Sequence, residues 1–331
     1  MQIKPKEGIS IKAAVGLYLD SVHLARSSNT TRTYGNGMAV FLQVLEKRKL
    51  KTEEAPIASI SEDAIAWLAD ALKGLAPTTE RLYLTVATGF FEYLAAENLA
   101  AINLPRVRLL IRQRARRPGI RLPQFPKDDI DKVLEYAESL ATHPTDDEME
   151  RLRNLRDRAF LITLADTGLR VHEACALRRG DVDWNEGQAV IIGKGDKQAV
   201  VRFSKRSLLA LRSYLAARAK LDGASGRPLS SLPLFVRHDI GAGKQIKPII
   251  PNTGRNIVAQ RVKEILGPDA SRITPHSFRH YFVTRVLRAS GNLKLAQELA
   301  RHKNITVTQR YAHLSDDALD KGYYEVFEDQ K

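Results

Sequence analysis

Four segments of the chain gather residue types that handle an anion or a proton. The first is Asp166-Thr-Gly-Leu-Arg170-Val-His-Glu173-Ala-Cys-Ala-Leu177. Gly168 is placed to end one helix and Val171 to begin the next, which puts Arg170 at the joint. An arginine held there can grip a phosphate with two parallel hydrogen bonds. A surface arginine paired with Glu173 has the same spacing. The second is Lys194, between Gly193 and Gly195 at the tip of a hairpin, where small neighbours allow close approach to a ligand. An ordinary turn lysine also fits.

The third is Ile273-Thr274-Pro275-His276-Ser-Phe-Arg279-His280. Thr274 as cap and Pro275 as first helical residue start a helix. His276, Arg279 and His280 then share a face, at the positive end of the helix dipole. A His-x-x-x-His zinc pair is the rival reading. It lacks the glutamate of His-Glu-x-x-His, and the arginine on the same face repels a cation. The fourth is Leu299-Ala-Arg301-His302-Lys-Asn-Ile-Thr306-Val-Thr-Gln309-Arg-Tyr311. Thr306 and Gln309 fit a capping box, which starts a helix at Thr306 and puts Tyr311 in its second turn. A half-buried helical tyrosine is the plain alternative.

The elements around these segments follow from periodicity. Residues Ile11 to Ala25 repeat apolar positions at helical spacing. Asn29-Thr30-Thr31 caps a helix through Phe41 and Leu45, Ser61 opens a third, and Pro77 a fourth through Phe90, Phe91 and Leu94. This is a bundle of four or five helices. Helices are expected at Asp128–Leu140 and Arg153–Ala165, then a hairpin from Ala189–Gly193 and Ala199–Phe203, with mainly helix beyond. The fold class is mainly α with a small β-sheet, in two domains: helical from 1 to 104 and mixed α/β from 126 to 331.

Charge separates the halves. Lys and Arg number 52 against 38 Asp and Glu, a net charge of +14. No acid lies between Glu97 and Asp128, where Arg106, Arg108, Arg112, Arg114, Arg116, Arg117, Arg121 and Lys127 fall among Pro105, Pro118, Pro123 and Pro126. The prolines argue against a continuous helix, so 105–125 is expected to be an extended basic linker whose arginines lie along a DNA backbone. A solvated linker is the alternative. The single cysteine, Cys175, excludes an intrachain disulfide and a thiolate metal cluster. No uncharged apolar run approaches the ~18 residues of a membrane span, and the N-terminus lacks a signal-peptide core. No membrane partner is expected, and a reducing, cytoplasmic location fits.

Taken together, the four segments resemble the boxes of the tyrosine recombinase (phage integrase) family. Thr-Gly-Leu-Arg-Val-x-Glu is similar to its first box and Gly-Lys-Gly-Asp-Lys to its hairpin. His-Ser-Phe-Arg-His-Tyr-Phe-Val-Thr is similar to its His-x-x-Arg box, and Thr-Gln-Arg-Tyr-Ala-His-Leu to its nucleophile box. The order and approximate spacing agree across residues 126–314. The helical half resembles the core-binding (SAM-like) domain less specifically. Where the family usually has Leu-Gly-His, this chain has Ala300-Arg301-His302. Arg301 must then avoid a positive φ or tolerate strain, and it could add a phosphate contact. With about ten residues before the first helix, the chain looks like the simpler two-domain, Xer-like members that lack an arm-binding domain.

The resemblance implies a C-shaped DNA clamp and an enzyme for site-specific recombination. Tyr311 would attack a phosphodiester to form a 3′-phosphotyrosyl bond. Arg170 and Arg279 would clamp the phosphate, Lys194 would protonate the leaving 5′-oxygen, His276 would assist as acid or base, and His302 would hydrogen-bond the phosphate. Glu173 and His280 would orient these groups from behind. No cofactor or metal is implied. The implied partners are double-stranded DNA with inverted-repeat core sites, three further copies in a tetramer, and an accessory directionality factor or partner recombinase. Strands would exchange through a Holliday junction. A type IB topoisomerase shares much of this residue set, and a silent DNA-binding protein of the same fold would keep the shape alone. The tail from Asp316, with Leu319, Tyr323, Tyr324, Val326 and Phe327, could dock on its own domain or on a neighbour.

Overall fold

Ile11, Ala14, Val15, Tyr18 and Val22 follow the helical repeat, and all five are buried on helix α1, Ile11–Ala25. The computed structural model describes residues 8–116, 126–192, 198–243, 245–268 and 273–309, and divides the chain into two compact units, Met1–Arg121 and Leu122–Lys331. In the first unit α1 is followed by α2 (Ser28–Lys47), α3 (Asp63–Ala71), α4 (Pro77–Ala96) and α5 (Leu104–Arg114). The core is built on Phe41 of α2, which meets Phe90 and Phe91 of α4 edge-on at centroid distances of 6.0 and 6.1 Å. The start of α2 is capped by Ser27, which accepts from the Thr30 N–H, and not by the Asn29-Thr30-Thr31 run.

The expected extended linker is, through residue 114, a helix. Asn103 caps α5 by accepting the Arg106 N–H at 3.0 Å. Pro105 falls in the first turn, where a missing N–H costs nothing. Val107 is fully buried, with Leu104, Leu110 and Ile111 packed on the same core. The repeat of apolar positions therefore overrides the proline signal. Four of the arginines also find carboxylate partners. Arg106 pairs with Asp63 at 2.7 Å, Arg108 with Glu92 at 3.2 Å, Arg114 with Asp70 at 3.1 Å and Arg116 with Glu80 at 2.6 Å. Their acids lie far away in sequence, on α3 and α4. Arg112 is exposed; Arg117 and Arg121 lie outside the described residues.

Glu80 is the firmest of these anchors. It is fully buried on α4 and accepts from the backbone N–H and Nε of Arg116 and from Lys73 Nζ. Arg116 also donates to the Leu75 carbonyl. The last turn of α5 is thereby tied to the bundle.

The second unit runs α6 (Lys127–Ser139), α7 (Glu148–Thr167), α8 (Val171–Ala176), β1 (Val182–Asp183), β2 (Gln188–Ile192), β3 (Gln198–Arg202), α9 (Lys205–Ala217), α10 (Ala219–Gly223), α11 (Pro251–Leu266), α12 (Pro275–Ser290), α13 (Leu293–Ala300) and α14 (Ile305–Gln309). The sheet is antiparallel in the order β1-β2-β3, with Val190 opposite Val200. Ala189, Ile191 and Val201 are buried while Val190, Ile192 and Val200 face out, the alternation a sheet covered on one side requires. Helix α7 is the central element, with Ala159, Phe160, Leu161, Ile162 and Leu164 all fully buried. A residue run buried on every side must also satisfy its polar members. Asp157 of α7 accordingly meets Arg261 of α11 at 2.8 Å, and that guanidinium also reaches Asn154. Among the described residues no helix is long and apolar enough to cross a membrane.

Burial would raise the Glu80 carboxyl, but the hydrogen bonds from Arg116 and Lys73 outweigh it and hold it at about 2, against an ordinary 4.5. A lowered folded-state pKa stabilises above the unfolded value and is lost as pH falls through the folded one. Urea melts of the full chain should therefore show stability declining between pH 4.5 and about 2. Glu80→Gln should flatten that decline and cost about 1–3 kcal/mol at pH 7. An unchanged midpoint at pH 7 would show that the anchor carries no stability.

Candidate active site

The site grows from the sharp joint between α7 and α8. Gly168 ends α7 with φ 59°, and a Cβ there would strike the Phe282 ring, so glycine is required twice over. The next turn makes Arg170 the residue before α8. Its backbone N–H donates to Glu173 Oε2 at 2.9 Å, and its Nη1 to Glu173 Oε1 at 2.8 Å. Glu173 is thus buried under Arg170, whose own side chain keeps 43% of its surface open. The surface pairing that the spacing allowed does form. It fixes the arginine without covering it.

Helix α12 brings the second arginine. Thr274 and Pro275 start it as the sequence implies, with the Thr274 N–H donating to Ser277 Oγ at 3.1 Å. Arg279 lies one turn in and is only 3% exposed. Its guanidinium donates to the Gly168 carbonyl at the end of α7 and to the Ala300 carbonyl at the end of α13. One side chain therefore pins three helix ends together. His276 and His280 flank it, their rings edge-to-face with centroids 4.1 Å apart.

His302 arrives from the short loop between α13 and α14. Its backbone N–H donates to the Gln297 carbonyl at 3.1 Å, and the Gln297 amide returns a bond to the His302 carbonyl at 3.0 Å. Its Nδ1 shares a 2.9 Å hydrogen bond with Thr308 Oγ1 on α14. No motif marks that threonine, since its partner is reached only across the turn into α14. Helix α14 begins at Ile305, one residue before the expected Thr306, because the Asn304 side chain accepts the Thr306 N–H.

Arg301 adopts φ 57°, so the chain takes the strained option where glycine is usual. Its side chain turns inward onto the α7–α8 joint. It is largely buried, donating to Gly168 O at 3.2 Å and to Glu173 Oε2 at 3.3 Å.

The structure therefore brings Arg170, Glu173, His276, Arg279, His280 and His302 to one place, with Arg301 beneath. Lys194 and Tyr311 lie outside the described residues, as does the tail from Asp316. The strands on either side of Lys194, β2 and β3, pair antiparallel, with Ile192 opposite Gln198.

Electrostatics follow from this crowding. Burial lowers His302 to about 4, helped by the charges of Arg279 and Arg170 and by His276 and Arg301. Burial and its neighbours His276, Arg279 and His302 lower His280 to about 4 as well. His276 is lowered by burial, then by Arg279 and Arg170. At pH 7 the imidazoles are neutral and the guanidiniums charged. Such a pocket attracts an anion and offers imidazoles that can donate or accept a proton.

Side-chain nitrogen NMR should find His280 and His302 titrating near pH 4, well below the ordinary 6.5. A histidine whose folded pKa is depressed withdraws stability as pH falls from 6.5 toward that value. The second unit should accordingly weaken over that range, and His302→Gln should reduce the slope. Titration of both rings near 6.5 would disprove the crowded, cationic geometry.

Comparison with known proteins identifies the family. Residues 125–318 match the model of the phage integrase family. The tyrosine recombinase XerC of Thermodesulfovibrio yellowstonii is 30% identical over 307 residues, covering 90% of this chain and 90% of that protein. XerC of Xylella fastidiosa strain 9a5c is 32% identical over 257 residues, covering 76% and 75%. In structure the chain is similar to the XerH site-specific recombinase bound to its difH substrate, with a TM-score of 0.70 at 18% identity, covering 97% of this chain and 99% of that one. It is also similar to a lambda integrase(75-356) dimer bound to a COC′ core site, with a TM-score of 0.60 at 17% identity, covering 93% and 98%. At those identities the structural likeness speaks for the fold, and the sequence matches speak for the family. The chain belongs to the phage integrase family of tyrosine recombinases, the enzymes of site-specific DNA recombination.

Proposed function

We propose that the pocket binds a scissile DNA phosphate and that Tyr311 cleaves it. The observation that carries this reading is the convergence of Arg170, Arg279 and two neutral histidines, His276 and His302, on one place. A phosphodiester is negatively charged and resists nucleophiles. A free tyrosine is ionised only about one part in a thousand at pH 7. The pocket must therefore neutralise the phosphate and draw off the phenolic proton.

In this reading Arg170 and Arg279 face the non-bridging oxygens, Arg279 from a fixed and buried position. The Tyr311 oxygen bonds to phosphorus as the bond to the 5′-oxygen breaks. The phenolic proton passes to His276, and Lys194 gives a proton to the leaving 5′-oxygen. His302, its ring set by Thr308, presents its other nitrogen to the phosphate. The product is a 3′-phosphotyrosyl link and a free 5′-hydroxyl. The link conserves the bond energy, so a 5′-hydroxyl from another strand reverses the step and strands exchange. Glu173 and His280 act on these groups from behind.

The DNA partner is a duplex with an inverted-repeat core site. Four protomers hold two duplexes and exchange strands through a Holliday junction, with an accessory factor or second recombinase setting direction. Arg112 is exposed and suited to the DNA backbone. Arg106, Arg108, Arg114 and Arg116 would reach phosphate only in competition with their own carboxylates. Affinity falls steeply with salt in either case.

The deciding experiment traps covalent protein–DNA complexes on fragmented genomic DNA and sequences the attached fragments. One short inverted-repeat site should be enriched with the wild-type chain and lost with Tyr311→Phe. Arg170→Ala should slow adduct formation by roughly 10²–10³-fold. Adducts that persist in Tyr311→Phe would remove that residue as nucleophile, and adducts scattered without sequence preference would favour a relaxing activity.

A further inference from the structure

Arg301 is an expensive residue where it stands. It is the first residue beyond α13, with φ 57° and ψ 43°, a conformation glycine adopts far more readily. The side chain must supply what the backbone loses. It is largely buried and reaches the Leu299 and Gly168 carbonyls and Glu173 Oε2, all within 3.3 Å. Gly168 is the same carbonyl that receives Arg279, and Glu173 is the carboxylate that holds Arg170.

Counting charge shows the consequence. Arg170 and Glu173 alone would cancel. Arg301 adds a second positive charge to the same carboxylate, so the three together carry a net +1. Arg301 is committed inward and cannot present that charge itself, whereas Arg170 is largely open.

We propose that Arg301 is a positioning residue that neutralises Glu173, so that Arg170 keeps its charge for an external phosphate oxygen, and that it locks the His302 loop onto the α7–α8 joint. The inference rests on the phosphate-site reading above. The groups facing His302 bear on the same question. They are His276, Arg279 and His280 on α12, Arg170 before α8, Thr308 on α14 and Arg301 on its own loop, with Glu173 behind.

The test uses the full chain with Arg301→Met, Arg301→Lys, Arg301→Gly and the double variant Arg301→Met with Glu173→Gln. Inorganic phosphate is titrated while the His276 and His302 ring signals are followed by NMR, and His302 is titrated with acid in the absence of phosphate. Removing the charge in Arg301→Met should weaken phosphate binding by about tenfold and raise the His302 midpoint, since a unit charge a few ångströms away matters in a partly buried site. Arg301→Lys keeps the charge and should stay within about threefold of wild type. The double variant restores the net +1, so it should recover phosphate affinity and bring the His302 midpoint back down. Arg301→Gly should match Arg301→Met in phosphate binding while melting no earlier than wild type, because glycine relieves the backbone; that separates charge from folding.

Unchanged phosphate affinity and an unchanged His302 midpoint in Arg301→Met would overturn the proposal. So would a double variant that recovers neither. If wild type itself shows no response of His276 and His302 to phosphate, the phosphate-site reading fails, and the ligand-free His302 titration still decides whether Arg301 acts through charge.

Discussion

Everything in the catalytic unit depends on how the chain ends α7 and starts α8. Gly168 lets the backbone turn in a left-handed conformation pressed against the Phe282 ring. That turn exposes one carbonyl, and two guanidiniums, from Arg279 and Arg301, compete to satisfy it. Two residues on, Arg170 and Glu173 close the start of α8. The site is therefore assembled around unsatisfied helix ends, which are the natural sockets for long cationic side chains. Moving this joint would move Arg170, Arg279 and the His302 loop at once.

The arrangement concentrates the positive charges of Arg170, Arg279 and Arg301 around His302. Arg170 and Arg301 share one carboxylate, Glu173, which burial would push toward neutrality but for their hydrogen bonds and charge. The histidines respond by staying neutral. A cluster poised in this way gains from an anion that arrives with its own charge, and it has little need to rearrange when one does. The fixed guanidiniums and the ring anchored by Thr308 make that pre-organisation concrete.

The helical unit uses arginine differently. Along α5 the cations are drawn back to carboxylates on α3 and α4, and Arg116 with Glu80 ties down the helix end. On α5 and through Arg116, a one-signed stretch of sequence becomes a mixed-charge surface once folded. The lesson is specific. A run without acids says nothing about which acids the fold returns to it.

The residue order, the caps and the apolar repeats were enough to place α1, α4, the α7–α8 joint, the β2–β3 hairpin and the start of α12, because each rests on interactions within a few residues. The same local patterns picked out Arg170, Glu173, His276, Arg279, His280 and His302, together with Lys194 and Tyr311. What they did not carry was any contact spanning tens of residues. The helix at Leu104–Arg114 was hidden because the proline in its first turn reads as a breaker until its apolar face finds the core. The distant acids that hold its arginines, the Thr308 bond that sets His302, and the inward turn of Arg301 onto Gly168 and Glu173 were likewise decided by packing. Local chemistry named the candidate groups, and only tertiary structure determined which of the described ones are spent on one another and which, like Arg170, stay open, since that division is made by groups far apart in sequence and adjacent only in the fold.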